Sequence, residues 1–116
     1  MDFMTTATQI LSIQIVRFVD DGFPGWVECL FTDAAGRSHT LIDKYPMFTT
    51  QMLDADSRYP QTGEVECEIL RRGQDARGGE LVCIRTLGIE STEGLSVFVV
   101  LPMQVSVPNP PAPRAT

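Results

Sequence analysis

The feature that most constrains the fold of this chain is a two-residue alternation of apolar and polar side chains. In residues 64–70 the apolar side chains stand at 65, 67 and 69 and glutamates stand at 64, 66 and 68. Because successive side chains of a β-strand point to opposite faces, this pattern predicts a strand with one buried face and one solvated face. The same period predicts strands in four further segments, which are residues 9–19, 26–32, 38–44 and 81–86.

A sixth strand is predicted in residues 95–101, where the sequence LSVFVVL is almost continuously apolar. A strand that is apolar on both faces is typical of the middle of a sheet, so we expect this one to be central and buried on both sides. Residues 71–79 contain three glycines and are expected to form an exposed loop before the fifth strand.

The first strand carries a change of phase. Leu11, Ile13 and Ile15 alternate with polar residues, and then Val16 and Phe18 take over the apolar positions on either side of Arg17. A one-residue slip inside a long strand is what a β-bulge produces. A long, bent strand allows a small sheet to curl on itself.

Two connections complete the predicted topology. Residues 33–37 (DAAGR) join two alternating segments and predict a tight hairpin over 26–44 with Gly36 in a left-handed conformation. Residues 45–62 predict a loop with one helical turn that covers an end of the sheet. The sequence therefore predicts an all-β, strongly bent antiparallel sheet of about six strands, forming a partly open barrel of the SH3-like or OB-like kind. A two-layer β-sandwich is the alternative.

The domain organisation follows from length and proline content. A chain of 116 residues has room for one domain. Five of its eight prolines fall within residues 102–116, and proline lacks the amide that a sheet needs. We therefore expect a β-barrel domain in residues 1–101 and a disordered or polyproline-II tail in residues 102–116, with at most an edge strand near Val105.

Charge and cysteine usage exclude several classes of protein. The formal net charge of −6 argues against nucleic-acid binding and against binding to an anionic membrane surface. No apolar run approaches the length of a membrane span, and the first residues lack the basic start of a secretory signal. The three cysteines form no CxxC pair, so reduced thiols in a cytoplasmic protein are expected.

Catalytic motifs are weak. There is no glycine-rich phosphate loop, no GxSxG sequence and no metal-ligand spacing, so neither a cofactor nor a metal is predicted. The sole histidine, His39, is expected opposite the end of the preceding strand and near Cys29, which makes a Cys–His dyad conceivable. A polar residue at the start of a strand is the favoured interpretation, and the chain is predicted not to be an enzyme.

Two sets of residues are candidates for binding. The glutamate row Glu64, Glu66 and Glu68 is expected on a solvated strand face, where it either faces a basic partner or is neutralised by Arg17 or Arg85. Four aromatic residues lie in or near loops and would line a pocket at one end of the barrel, although capping of the core is the more common role for such side chains. They are Trp26, Tyr45, Phe48 and Tyr59.

Two cysteines form a candidate redox pair. If Ile69 pairs with Leu81 across the predicted loop, then Cys67 lies directly opposite Cys83, at a separation that suits a cross-strand disulfide. Two small apolar side chains packed side by side are the alternative, and a reducing compartment favours it.

These observations predict a non-catalytic, cytoplasmic protein-binding module with an acidic surface that steers basic partners. An inhibitor or immunity-type protein that neutralises an effector is an example, by analogy of size and charge alone. The alternative is a β-barrel that binds a small molecule or an oligosaccharide at its aromatic end. A homo-oligomer formed through exposed edge strands, the long first strand above all, is also open.

Overall fold

A computed structural model describes residues 8–108 of the chain. Seven strands form one antiparallel sheet, and two short 3-10 helices cover Tyr45–Met47 and Pro102–Gln104. The strands are β1 (Gln9–Asp20), β2 (Trp26–Thr32), β3 (Ser38–Lys44), β4 (Gln61–Gln74), β5 (Glu80–Thr86), β6 (Val97–Val100) and β7 (Val105–Ser106).

The sheet is a single curled layer. Six strands follow the order β3-β2-β1-β4-β5-β6, and β7 adds to β1 beside that path. The sheet curls through 279° into a half-barrel. The predicted all-β class and strongly bent antiparallel sheet are confirmed, and the chain does not adopt the two-layer sandwich.

The bend in β1 arises where the sequence predicts it. Ile15 pairs with Cys29 and Arg17 pairs with Glu28, so Val16 is the extra residue of a bulge. Because a bulge moves the following side chains to the other face and increases the local twist, β1 lies across two parts of the curled sheet. The predicted hairpin over residues 26–44 is also confirmed.

The concave face of the half-barrel holds the core. Alternate residues of each strand point inward and exclude water, and Gly63 provides the space for one of them. A Cβ atom at Gly63 would lie 2.8 Å from Cγ1 of Ile15, so a larger residue would displace that side chain. The fully buried core residues include Leu11, Ile13, Ile15, Val27, Cys29, Leu41, Val65, Cys67, Val82, Ile84 and Val100.

The strand expected at the centre of the sheet lies at its edge. β6 pairs only with β5, and its alternate side chains Val97 and Val99 are 46% and 41% exposed. Continuous hydrophobicity does not distinguish a strand covered on both faces from one whose outer face is apolar and open. The strand expected at an edge, β1, is central, because β4 covers one side and β2 and β7 cover the other.

The β4–β5 connection is shorter than expected. β4 continues to Gln74, so the first four residues of the segment predicted as a loop are strand, and residues 70–80 form a fully exposed hairpin arm. The 45–62 connection contains the expected helical turn, and its Phe48 and Leu53 are buried against an end of the core.

After β6 the chain crosses to the other side of the barrel. Val105 pairs with Leu11, which is the edge pairing considered for this region, and Pro102–Gln104 is helical. The rest of the predicted tail, residues 109–116, lies outside the described residues. Neither 3-10 helix within residues 8–108 is long and apolar enough to cross a membrane.

Candidate functional site

Three turns of the same construction come together at the open side of the half-barrel. They are the first turn (33–37, DAAGR), the second turn (75–79, DARGG) and the third turn (91–95, STEGL). In each, the backbone N–H of the fourth residue donates to the carbonyl of the first, and the fourth residue is a glycine with a positive φ, at Gly36, Gly78 and Gly94. Glycine suits this position because it has no Cβ to clash in the left-handed region.

The first residue of each turn holds the backbone with its side chain. Oδ1 of Asp33 accepts from the N–H groups of Ala35 and Arg37 at 2.9 and 3.0 Å. Asp75 and Ser91 accept from the corresponding N–H groups of the second and third turns. A side chain that satisfies two backbone donors locally explains why Asp or Ser begins each turn.

Two of these turns clasp each other across the opening between β3 and β6. The second residue of the first turn, Ala34, donates its N–H to the carbonyl of Val99 in β6 at 2.8 Å. The second residue of the third turn, Thr92, donates to the carbonyl of Thr40 in β3 at 2.9 Å. The two bonds are reciprocal, because each turn reaches across to the strand that follows the other turn.

Beside this clasp lies a cleft with a volume of about 520 Å³. We call it the turn cleft. Its walls are largely apolar, and charged groups of the first and second turns stand at its rim. It is lined by Asp33, Ala34, Ala35, Arg37, His39, Asp75, Leu81, Leu95, Val97, Phe98 and Val99.

The free edge of β6 borders the cleft. Since Ser96 accepts from Thr86 in β5, and side-chain and backbone directions alternate along a strand, the N–H and C=O groups of Val97 and Val99 point away from β5. The carbonyl of Val99 accepts from Ala34. Within residues 8–108, no partner is found for the Val97 N–H, the Val97 carbonyl or the Val99 N–H.

His39 joins the first turn to the cleft. It pairs with Phe31 across the hairpin, as expected, and it is only 6% exposed. Its Nε2 lies 2.7 Å from Oδ2 of Asp33. Burial acts to raise the pKa of the Asp33 carboxyl, but hydrogen bonds from His39 and from the turn N–H groups outweigh it and hold the pKa below its ordinary value of 3.8. Asp33 is therefore an ionised acceptor, and Nε2 of His39 is the donor.

The other ring nitrogen of His39 has no hydrogen-bond partner. Nδ1 is buried, and the nearest charged atom is Oε1 of Glu93 in the third turn, at 3.9 Å. Phe31 and Phe98 pack against the ring, with centroid separations of 5.2 and 4.8 Å. A buried acceptor without a partner is costly, by about 1–3 kcal/mol, so its presence marks a position that structural demands alone do not explain.

Sequence reasoning missed the Asp33–His39 pair. The sequence signal is the spacing of the two residues around the hairpin turn, D-x-x-G-x-x-H, which brings the first and last positions together only when Gly36 closes the turn. No nucleophilic side chain lies within hydrogen-bond distance of Nδ1 among the described residues. Cys29 pairs with Leu41, and burial, followed by the charge of Glu28, raises the pKa of its thiol to about 12.

The glutamate row lies on the convex face of β4, as expected, but its charge is partly neutralised. Arg85 of β5 donates to Glu68 at 2.8 Å, which is one of the two pairings considered from the sequence. The other arginine, Arg17, pairs with Glu28 instead. Glu64 and Glu66 stay exposed beside Thr49 and Thr50, and neither lines the turn cleft.

The four aromatic candidates do not form an open pocket. Phe48 is only 2% exposed, and Tyr45 and Tyr59 pack against the core. The hydroxyl of Tyr59 donates to the carbonyl of Asp54, and the Trp26 ring lies 5.9 Å from the Lys44 ammonium. Phe48, Tyr45 and Tyr59 therefore cover the core, which was the alternative to the aromatic-lined pocket, whereas Trp26 lies beside Lys44.

The expected pairing of Cys67 with Cys83 is wrong. Cys67 lies opposite Thr86 and points into the core, whereas Cys83 lies opposite Arg71 on the convex face. Because β4 is longer and the turn shorter than predicted, the partner of Cys67 in β5 differs by three residues, and an odd shift reverses the face of each side chain. A bulge between Ile69 and Arg71 makes the difference four residues at Cys83. All three cysteines are free, and burial raises the pKa of the Cys67 thiol to about 11.

Comparison of the chain with protein-family models, with curated proteins and with solved structures finds no match.

Proposed function

We propose that this chain is a non-catalytic, cytoplasmic protein-binding module that holds an extended segment of its partner along β6 in the turn cleft. The observation that carries this proposal is the open edge of β6. Its three unpaired backbone groups are the N–H and C=O of Val97 and the N–H of Val99. The side chains of these two residues are exposed and line the cleft.

An exposed apolar edge strand is a template for another strand. Main-chain hydrogen bonds supply affinity in such complexes, and pockets for alternate side chains supply specificity. The clasp restricts the template to a short window, because Ala34 occupies the carbonyl of Val99 and the third turn occupies both backbone groups of Leu95. A bound segment would therefore pair with Val97 and with the N–H of Val99.

The charge and the thiols support the rest of the proposal. A net charge of −6 favours encounter with basic partners. Three free, buried cysteines agree with a reducing compartment.

The test is capture of a partner by the wild-type chain and by the double variant V97K/V99K. Two lysines on the edge strand would repel or misalign an incoming strand, so we expect the affinity to fall by about tenfold or more. The matched control is Ile42→Lys, which places a lysine at an equally exposed apolar position on the convex face of β3. A partner that V97K/V99K retains as well as I42K does, or capture of nothing but the chain itself, would refute the proposal.

A second candidate function is small-molecule or oligosaccharide binding in the same cleft. The observation that favours it is the cleft volume of about 520 Å³, which falls in the range of pockets for small ligands. A ligand at 100 times its dissociation constant adds about 2.7 kcal/mol to the free energy of unfolding, so thermal-shift screening would detect it. A shift that Val97→Lys abolishes would place the ligand in the turn cleft.

A further inference from the structure

His39, which lines the turn cleft, carries a polar atom that has no partner among the described residues. Nε2 of His39 is committed to the Asp33 carboxylate at 2.7 Å. When the imidazole is neutral, a proton on Nε2 leaves a lone pair on Nδ1, so this atom accepts hydrogen bonds. Nδ1 is buried and has no donor within reach among the described residues.

The group nearest to this lone pair is an acceptor as well. Oε1 of Glu93 lies 3.9 Å from Nδ1, and the Glu93 side chain is 69% exposed, so it has room to turn. Two acceptors at this separation match one nitrogen that donates to both, because two hydrogen bonds of about 2.8 Å span up to about 5.6 Å. A ligand group that satisfies both acceptors therefore carries at least two donor hydrogens on one atom.

The charges around the site select a cation. Asp33, Glu93 and Asp75 bring three carboxylates to the site and its rim, against one arginine, Arg37. Both oxygens of Asp33 are occupied, by His39 and by the turn, which leaves Glu93 and Oδ2 of Asp75 to interact with a ligand. The apolar walls at Leu95 and Val97 suit the methylene stem of a long side chain.

We propose that the segment bound along β6 presents a lysine, whose ammonium group enters between Nδ1 of His39 and the carboxylate of Glu93. This inference rests on the proposed function and names the chemistry of the partner. A lysine ammonium has three donors on one nitrogen, so it satisfies both acceptors at once, and its charge matches the carboxylates.

The experiment compares two peptides, acetyl-Thr-Val-Lys-Val-Thr-amide and the same peptide with norleucine in place of lysine. Titration calorimetry at pH 7.5 should show the lysine peptide binding at least about tenfold more tightly. Glu93→Gln should remove most of this preference. The matched control Glu90→Gln removes the same charge from the same loop, at a position where no contact with His39 is found among the described residues, and should retain it.

The ring nitrogens of His39 give a second readout. As the sole histidine, it yields one pair of imidazole ¹⁵N resonances. Nδ1 should shift on addition of the lysine peptide and not of the norleucine peptide. Asp33 and Glu93 are the charged groups that face the ring, and Phe31 and Phe98 pack against it.

Three results would overturn the inference: equal affinity for the two peptides, equal loss of preference in E93Q and E90Q, or binding of neither peptide. Equal affinity refutes the lysine site alone and leaves strand addition to β6 standing. The proposed function fails separately, if V97K/V99K captures the partner as well as I42K does.

Discussion

A single carboxylate, Asp33, organises both the first turn and the neighbouring imidazole. One of its oxygens holds two backbone N–H groups, and the other holds Nε2 of His39. The side chain is mostly buried, so these bonds lie in surroundings that strengthen charged hydrogen bonds. The negative charge of Asp33 therefore contributes to the stability of the fold.

We predict that Asp33→Asn lowers the free energy of unfolding by about 1–2 kcal/mol at pH 7. The pKa of the carboxyl is lower in the folded chain than its ordinary value of 3.8, so its contribution is complete above that pH and is lost as the pH falls through the folded pKa. Urea unfolding of the wild-type chain and of Asp33→Asn, at pH 7 and at about pH 2.5, measures the difference in the free energy of unfolding. The lower pH lies below the ordinary pKa range of a carboxyl group. A difference that persists unchanged at the lower pH would contradict this account.

Single residues also show where prediction from sequence ends. The bulge at Val16 was predictable because the change of phase in the alternation of apolar and polar residues is visible in the sequence. The Asp33–His39 bond was not, because it depends on the register of β2 against β3 and on the direction of a turn side chain. The prediction that Cys67 lies opposite Cys83 was wrong for the same reason. The length of β4 sets its register against β5, and the register determines the face on which each cysteine lies.

At the level of elements, the repeated turn explains the positions of three glycines. A Cβ atom at Gly36 or Gly78 would meet nothing within 4 Å, so a substitution there is opposed by backbone conformation alone. We predict that Gly36→Ala and Gly78→Ala each lower the free energy of unfolding by about 1–2 kcal/mol. Chemical denaturation of each variant provides the measurement.

Gly73 supplies the control for this prediction. It is equally open, but its φ is not in the left-handed region. Gly73→Ala should not destabilise the chain, because alanine there reduces the freedom of the unfolded state without strain. Losses of similar size at all three positions would show that the turn conformation is not the cause.

The clasp at the first turn permits a selective substitution. Ala34 and Ala76 occupy the same place in the first and second turns, and proline fits that position of a β-turn. Ala34→Pro removes the N–H that donates to Val99, whereas no acceptor for the N–H of Ala76 is found within the described residues. We predict that the free energy of unfolding of A34P is about 1 kcal/mol lower than that of A76P, as measured by thermal or urea unfolding.

Equal stability of A34P and A76P would mean that the Ala34–Val99 bond contributes nothing to closure. Hydrogen exchange at Thr92 adds a second observation, because loss of one half of the clasp should speed exchange at the other.

The strand elements themselves were largely predictable from the alternation of apolar and polar residues. The edge position of β6 was not, because Val97 and Val99 are apolar and yet exposed.

For the whole molecule, the curled sheet implies a gradient of local stability. β1 is flanked by β4 on one side and by β2 and β7 on the other, and it pairs with the buried first half of β4. In contrast, β6 has one neighbouring strand and the 70–80 arm is exposed throughout. We predict that backbone N–H groups in the pairing of β1 with β4 exchange only through global unfolding, and that those of the arm exchange fastest. Native-state hydrogen exchange by NMR measures this order, and protection of the arm equal to that of β1 would contradict it.

The reciprocal clasp has a consequence for the order of folding. Its two bonds, Ala34 to Val99 and Thr92 to Thr40, join residues more than fifty positions apart, whereas the β2–β3 and β4–β5 hairpins join near neighbours in the chain. Contacts between distant residues carry the larger loop-closure entropy, so the hairpins are expected to form early and the clasp to close late. Until the clasp closes, the apolar edge of β6 is exposed to other unfolded chains. The chain concentration during refolding will therefore determine the fraction of chains that reaches the native state.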